Sequence, residues 1–249
     1  MNDLAKKEED GNRRIFILAE YRSGSSWLMN TLNSHQDVSL FGELYNHATF
    51  NEASRFQHIG KEEFPGCVAY LENKLSAVAN RYVGCKILLN QLTLIADDFP
   101  GYFIDHYKNA YFLFLTRENM VEAQVSVSIA HAYGVWHVHR KKSIQKRRVR
   151  IRPEELYKKL ERQAFIREAV KKKLEALDVK RIFITYEELF RRKKREMGKI
   201  CDLLNITGKG IKYSHEIKGN PFHLEEMIEN FQEVSDYLQQ YPHYYRMLT

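Results

Sequence analysis

Ile15–Ala19 (IFILA) is a short, wholly apolar run, and it passes almost at once into Tyr21-Arg22-Ser23-Gly24-Ser25-Ser26-Trp27. A run with no polar face suits a strand buried on both sides of a parallel sheet. The Gly/Ser turn then opens a helix running roughly from Trp27 to Asn33, with Ser25 or Ser26 as its cap. Strand, turn and helix in that order form an anion cradle. Gly24 lets the main chain come close to a phosphate, the N–H groups of Gly24 to Trp27 can point inward, and the helix start adds positive dipole charge. Arg22 supplies a cation, and Ser25 and Ser26 supply hydroxyl donors. The turn is not the GxxxxGK[ST] loop of nucleoside triphosphatases, which is longer and carries a Lys beside a hydroxyl for Mg²⁺. An anionic ligand that needs no metal fits it better.

Outward from this unit, further β-type runs stand at Val38–Phe41, which ends at Gly42-Glu43 and is expected to neighbour the first strand, and at Tyr82–Leu88, Ala110–Leu115 and Arg181–Thr185. Helical patterns lie between them at Val68–Asn80 and Met120–Ala132. From Asn220 onward the pattern is again helical and ends rich in tyrosine (Tyr237, Tyr241, Tyr244, Tyr245). Strands alternating with helices predict βαβ units with right-handed crossovers. The expected fold is α/β: a P-loop-like three-layer sandwich with a central, mostly parallel sheet flanked by helices. No repeat or long linker interrupts it, so residues 13–249 read as one domain behind a charged, flexible start at 1–12.

The 249 residues are 44% hydrophobic and 12% aromatic, which excludes disorder as the default state. A net charge of +7 favours anionic partners without choosing among them. Cys67, Cys85 and Cys201 are scattered and include no CxxC pair, so neither a zinc site nor a disulfide framework is indicated, and no metal is expected. The N-terminus lacks the apolar stretch of a signal peptide and no run is long enough to span a bilayer, which predicts a cytoplasmic protein.

ILAEYRSGSSWLMNTLNSHQDVSLFGELYN resembles the opening of PAPS-dependent sulfotransferases (PAPS is 3′-phosphoadenosine 5′-phosphosulfate), especially the bacterial carbohydrate type that includes nodulation-factor and trehalose enzymes. FLFLTRENMVEAQVSVSIA is similar to that family's second signature, a strand, an Arg, then a helix with a Ser. The resemblance implies that Arg22, Ser23, Gly24, Ser25, Ser26 and Trp27 hold the 5′-phosphosulfate. It implies that Arg117 and Ser126 hold the 3′-phosphate, with Ser128 as the alternative because the Arg-to-Ser interval differs by one residue from many members and Glu118 stands where some carry a second Arg. It also implies Glu43 as the base, in the segment FGELYN, with His47 as its rival. The acceptor it implies is a hydroxyl of a carbohydrate or glycolipid, with 3′,5′-ADP as product and no nucleic-acid partner.

Independently of the resemblance, a ligand with phosphates at both ends of a ribose needs two cationic sites on adjacent strand ends, and a doubly wound sheet supplies them where those ends converge. Sulfuryl transfer further needs a base for the acceptor hydroxyl and a cation for the leaving oxygen, here Arg22. His35 reads as structural. Lys86 either faces the site from within its strand or snorkels outward. Tyr186 either bounds the adenine or is core, and Trp27 likewise either packs in the core or walls the site. The basic stretch Lys141–Arg152 is a solvated face or a flap beside an anionic acceptor. Lys218-Gly219-Asn220 looks like the late segment that closes over the nucleotide. The aromatic C-terminus is core or a homodimer interface. Two other classes stand against this reading: a nucleotide kinase or NTPase, which lacks its Walker Lys here, and a non-catalytic binder of anionic ligands, for which basic charge alone is poor support.

Overall fold

The computed structural model describes residues 13–46, 51–136, 144–215 and 221–248. Among these residues five strands form one sheet: β1 (Arg13–Ala19), β2 (Val38–Phe41), β3 (Tyr82–Leu88), β4 (Tyr111–Thr116) and β5 (Lys180–Thr185), in the spatial order β2-β3-β1-β4-β5. Every pairing is parallel, with Phe16 opposite both Cys85 and Phe112. The expectation that β2 neighbours β1 is therefore corrected, because β3 lies between them. β3 is buried at all seven positions and suits an interior place, whereas the four residues of β2 are buried only alternately, as an edge strand is.

Side chains alternate across β1 and feed two cores. Phe16 and Leu18 pack with α2 (Phe64–Leu75), α3 (Leu89–Ile95), α4 (Phe99–His106) and the second half of α6 (Pro153–Ala176). Ile15 and Ile17 pack on the opposite face with α1 (Ser25–Leu32), α7 (Tyr186–Arg191) and α8 (Lys193–Leu204). A third cluster joins α5 (Met120–Tyr133), the start of α6, and the short helices α9 (Leu224–Met227), α10 (Phe231–Leu238) and α11 (Pro242–Tyr245). Tyr244 is buried in this cluster, and Tyr241, half-buried, packs against it with its ring stacked on Tyr157 of α6 at a centroid distance of 3.9 Å.

Two helix boundaries move for local reasons. α1 starts at Ser25, its N-cap is Gly24 in the left-handed region (φ 80°), and no side chain caps it, so neither serine serves as cap. α2 starts earlier than expected because Pro65 fits a first helical turn, where a missing N–H costs nothing. No helix among the described residues is long and apolar enough to cross a membrane.

Candidate functional site

In a parallel sheet all strands end at the same edge. Here the chain leaves β1 between β3 on one side and β4 on the other, which opens a crevice at the end of β1. The Tyr21–Trp27 turn lies in that crevice. Ser23 is buried and its Oγ donates to the Glu20 carbonyl at 2.7 Å, closing the turn on itself. Arg22 (φ 57°) and Gly24 both take left-handed conformations. At Gly24 a Cβ would lie 2.7 Å from Phe190 and 3.2 Å from Tyr186, so glycine is required both by φ and by the two rings pressed against it. With no side-chain cap, the first-turn N–H groups of α1 are left to other acceptors.

On the β4 side of the turn, four of the expected residues come together. The Arg22 Nε donates to the Ser126 Oγ at 2.9 Å, and its Nη1 donates to the Trp136 carbonyl. Arg117, only 4% exposed, sends Nη1 to the Arg22 carbonyl at 3.0 Å and pairs with Glu122 at 2.7 Å. Its guanidinium lies 4.5 Å from the Tyr186 ring centroid. Among the described residues the Arg117 Nε–H is buried without a hydrogen-bond partner, its nearest acceptor being the Glu187 carboxylate, with which it forms a long ion pair at 4.0 Å. A buried donor of this kind fits an incoming anion. Burial raises the Tyr186 phenol above its ordinary range, with the Arg117 charge opposing. Ser128 instead donates to the Gln124 carbonyl of its own helix, so Ser126 is the serine that meets Arg22.

On the β2 and β3 side, Lys86 is 5% exposed and points inward, so it does not snorkel outward. Its Nζ lies 2.7 Å from Glu43 Oε1 and donates to the Ser26 Oγ at 2.9 Å. The other Glu43 oxygen accepts from Gln91 at 2.8 Å and from Asn46 at 3.2 Å. Asn90 donates to the Tyr21 hydroxyl at 2.7 Å; burial raises that phenol, the Asn90 bond opposes the rise, and the Glu43 charge adds to it. One carboxylate is thus linked through one lysine to the start of α1, even though β2 and β1 do not touch. His47, the rival base, lies outside the described residues. His35 is buried and its Nδ1 accepts from the Asp37 N–H, a structural role.

Trp27 is core. It is 2% exposed, stacked on Tyr213 at 5.7 Å and tilted against Phe190, and its indole donates to the Ser214 carbonyl at 3.0 Å. Only its main chain belongs to the turn. The described part of the basic stretch, 144–152, is tied down. Lys146 pairs with Glu226 and Arg150 with Glu233, the Val149 backbone bridges to Ile228, and Arg148 donates to the Ile228 carbonyl. A free flap is therefore not what this part forms; Lys141 to Ser143 and Lys218-Gly219-Asn220 lie outside the described residues.

Three features of the site carry little or no signature in the sequence. Glu20, between the strand and the turn, is 3% exposed and paired with Arg167 of α6; the signal was an acid continuing the Phe16, Leu18 alternation into a covered face. Gln91 and Asn90 carried no motif at all. Arg191–Arg195 (RRKKR) is an unbroken, exposed cationic run where α7 meets α8, denser than the stretch from Lys141, and Lys193 lies over the Trp27 ring at 5.5 Å.

No protein-family model and no curated protein matches the chain. Among solved structures it resembles the crystal structure of a sulfotransferase from Alicyclobacillus acidocaldarius, with a TM-score of 0.50 and 16% identity over 96% of each chain. It also resembles the sulfotransferase domain from the curacin biosynthetic pathway, with a TM-score of 0.46 and 14% identity over 87% of this chain and 82% of that one. The five-stranded parallel sheet with helices on both faces is thus the α/β fold of a sulfotransferase structure.

Proposed function

We propose that the protein is a PAPS-dependent sulfotransferase that acts on a hydroxyl of a carbohydrate or glycolipid. The observation that carries this reading is the pairing, at one sheet edge, of two arginines and an uncapped helix start with a carboxylate–lysine pair. The first half suits a ligand with several anionic groups; the second suits removal of a proton. The fold likeness supports the same choice.

In this reading Arg117, whose buried Nε–H makes no hydrogen bond among the described residues, and Ser126 hold the 3′-phosphate. Arg22, Ser25, Ser26 and the N–H groups at the start of α1 hold the phosphosulfate, whose chemistry is to present a sulfuryl group on a good leaving oxygen, while Ser23, its hydroxyl spent on the Glu20 carbonyl, fixes the shape of the turn. Glu43 takes the acceptor's proton at a carboxylate oxygen. Lys86 keeps Glu43 beside Ser26 and adds positive charge where negative charge develops. Tyr186 and Phe190, packed on Gly24, screen the turn from water.

Thermal-shift measurements with 3′,5′-ADP, 5′-AMP and ATP test the reading. Stabilisation by 3′,5′-ADP well beyond the other two is expected. An equal response to all three, or none, would sink it.

A further inference from the structure

Glu20 puts a negative charge where an anion site should tolerate none. It is the residue after β1, directly before the Tyr21–Trp27 turn, and it is almost wholly buried. Because Phe16 and Leu18 face α6, the next alternate residue does too. There Arg167 Nε donates to Glu20 Oε1 at 2.7 Å and Arg167 Nη2 donates to Glu20 Oε2 at 2.6 Å. The same Oε2 accepts the Arg117 main-chain N–H at 2.9 Å, and the same Nη2 donates to the Arg117 carbonyl at 2.6 Å. Both polar groups of the Arg117 backbone are therefore clamped by one ion pair that joins β1 to α6.

We infer that Arg167 is a positioning residue for the anion site: it cancels the charge of Glu20 under the turn and fixes the main chain from which Arg117 reaches the Arg22 carbonyl. A buried carboxylate stripped of its counter-charge would repel every anionic group brought to the turn, with little solvent to screen it. The pair is not a surface ornament, since its acidic partner has almost no contact with water and makes three hydrogen bonds. No motif of the chain announces Arg167, which sits mid-helix among lysines and glutamates. The inference rests on the proposed donor site, since the anionic ligand held at the turn is taken to be the 3′,5′-bisphosphate nucleotide.

The test is isothermal titration of 3′,5′-ADP into the full-length wild type and the variants Arg167→Met, Arg167→Lys and Glu20→Gln/Arg167→Met. Arg167→Met should weaken binding by about 30-fold or more, as expected for an unmasked buried charge. Arg167→Lys, which keeps the charge but loses the fork, should fall between. The double variant removes both charges and should recover binding to within about 5-fold of wild type, since a buried pair exchanged as a unit is often close to neutral. It also serves if Arg167→Met alone does not fold. Wild-type affinity in Arg167→Met, or a double variant as weak as the single one, overturns the charge-cancelling role. A wild type that binds no 3′,5′-ADP overturns the donor reading and this inference with it, whereas a binding wild type with indifferent variants overturns this inference alone.

Discussion

Lys86 and Glu43 stand 2.7 Å apart at the sheet edge, the lysine buried inside β3 and the glutamate just past the end of β2. The lysine also reaches the second residue of α1 through Ser26. Proton acceptor and anion cradle are therefore connected by side chains rather than by adjacent strands, and the consequences of this are measurable.

Glu43→Gln keeps the size of the side chain and removes the base. Binding of 3′,5′-ADP should stay within about 3-fold of wild type, while sulfuryl transfer from labelled PAPS falls by about 10²–10⁴, the range of a lost general base. Unaltered turnover would dismiss Glu43.

Lys86→Met leaves Glu43 with its two amide donors and no counter-charge. Both side chains are mostly shielded from water, at 7% and 21% exposure. The variant should lose about 1–3 kcal/mol in urea unfolding, below the cost of breaking a fully buried pair because Glu43 retains some solvent.

Gly24→Ala forces a Cβ into the left-handed region and against the Phe190 ring. About 1–3 kcal/mol of destabilisation should follow, together with weaker 3′,5′-ADP binding as the turn shifts. A variant with wild-type melting temperature and affinity would show that the turn tolerates a side chain.

The three thiols should be inert in the native state. Burial pushes Cys67 up to about 12 and raises Cys85 and Cys201 as well, so little thiolate exists near neutrality. Reaction with a chromogenic disulfide at pH 8 should be slow for the folded protein and complete for all three cysteines in urea.

Arg14 and Glu72 predict a pH effect on stability. Burial alone would raise the Glu72 carboxyl, but the Arg14 Nε and Nη2 bonds, joined by the Tyr107 hydroxyl and by the charges of Arg14 and His106, outweigh it and hold it below its ordinary value. A depressed folded-state value stabilises the protein above the unfolded carboxylate range, about pH 4.3. That contribution is lost as pH falls through the folded-state value. The stability gap between wild type and Arg14→Met should be constant above about pH 5 and close toward acid; a gap that widens toward acid would refute the assignment.

The strands were legible to within two residues because burial on both faces writes itself as an uninterrupted apolar run, as in YVGCKIL; β1 begins two residues before IFILA because the half-buried Arg13 and Arg14 also join the ladder. The gathering of Arg22, Ser126, Arg117 and Tyr186 could be anticipated because parallel strands end together. Strand neighbours were not legible: whether β2 or β3 lies beside β1 depends on which can be buried on both sides, a tertiary property. α6 escaped notice because its apolar residues Leu156, Leu160, Ile166, Val170 and Leu174 are sparse among charges. Charge density also misled, since Lys146 and Arg150 look alike in sequence whether free or paired with Glu226 and Glu233. Glu20 and Arg167 are far apart along the chain, and only the fold makes them partners.

The place of β1 at the middle of the sheet has a kinetic consequence. Ile15 finds its partners at Gly84 and Tyr111, so during synthesis this strand waits for about seventy further residues before one edge can be covered and about a hundred before both can. During that interval IFILA is an unpaired, uncharged β-segment of the sort that recruits other chains. Yield on expression should therefore fall with faster synthesis and rise with lower temperature or added chaperone, and the charged residues Arg13, Arg14 and Glu20 that bracket the run act as its gatekeepers against aggregation.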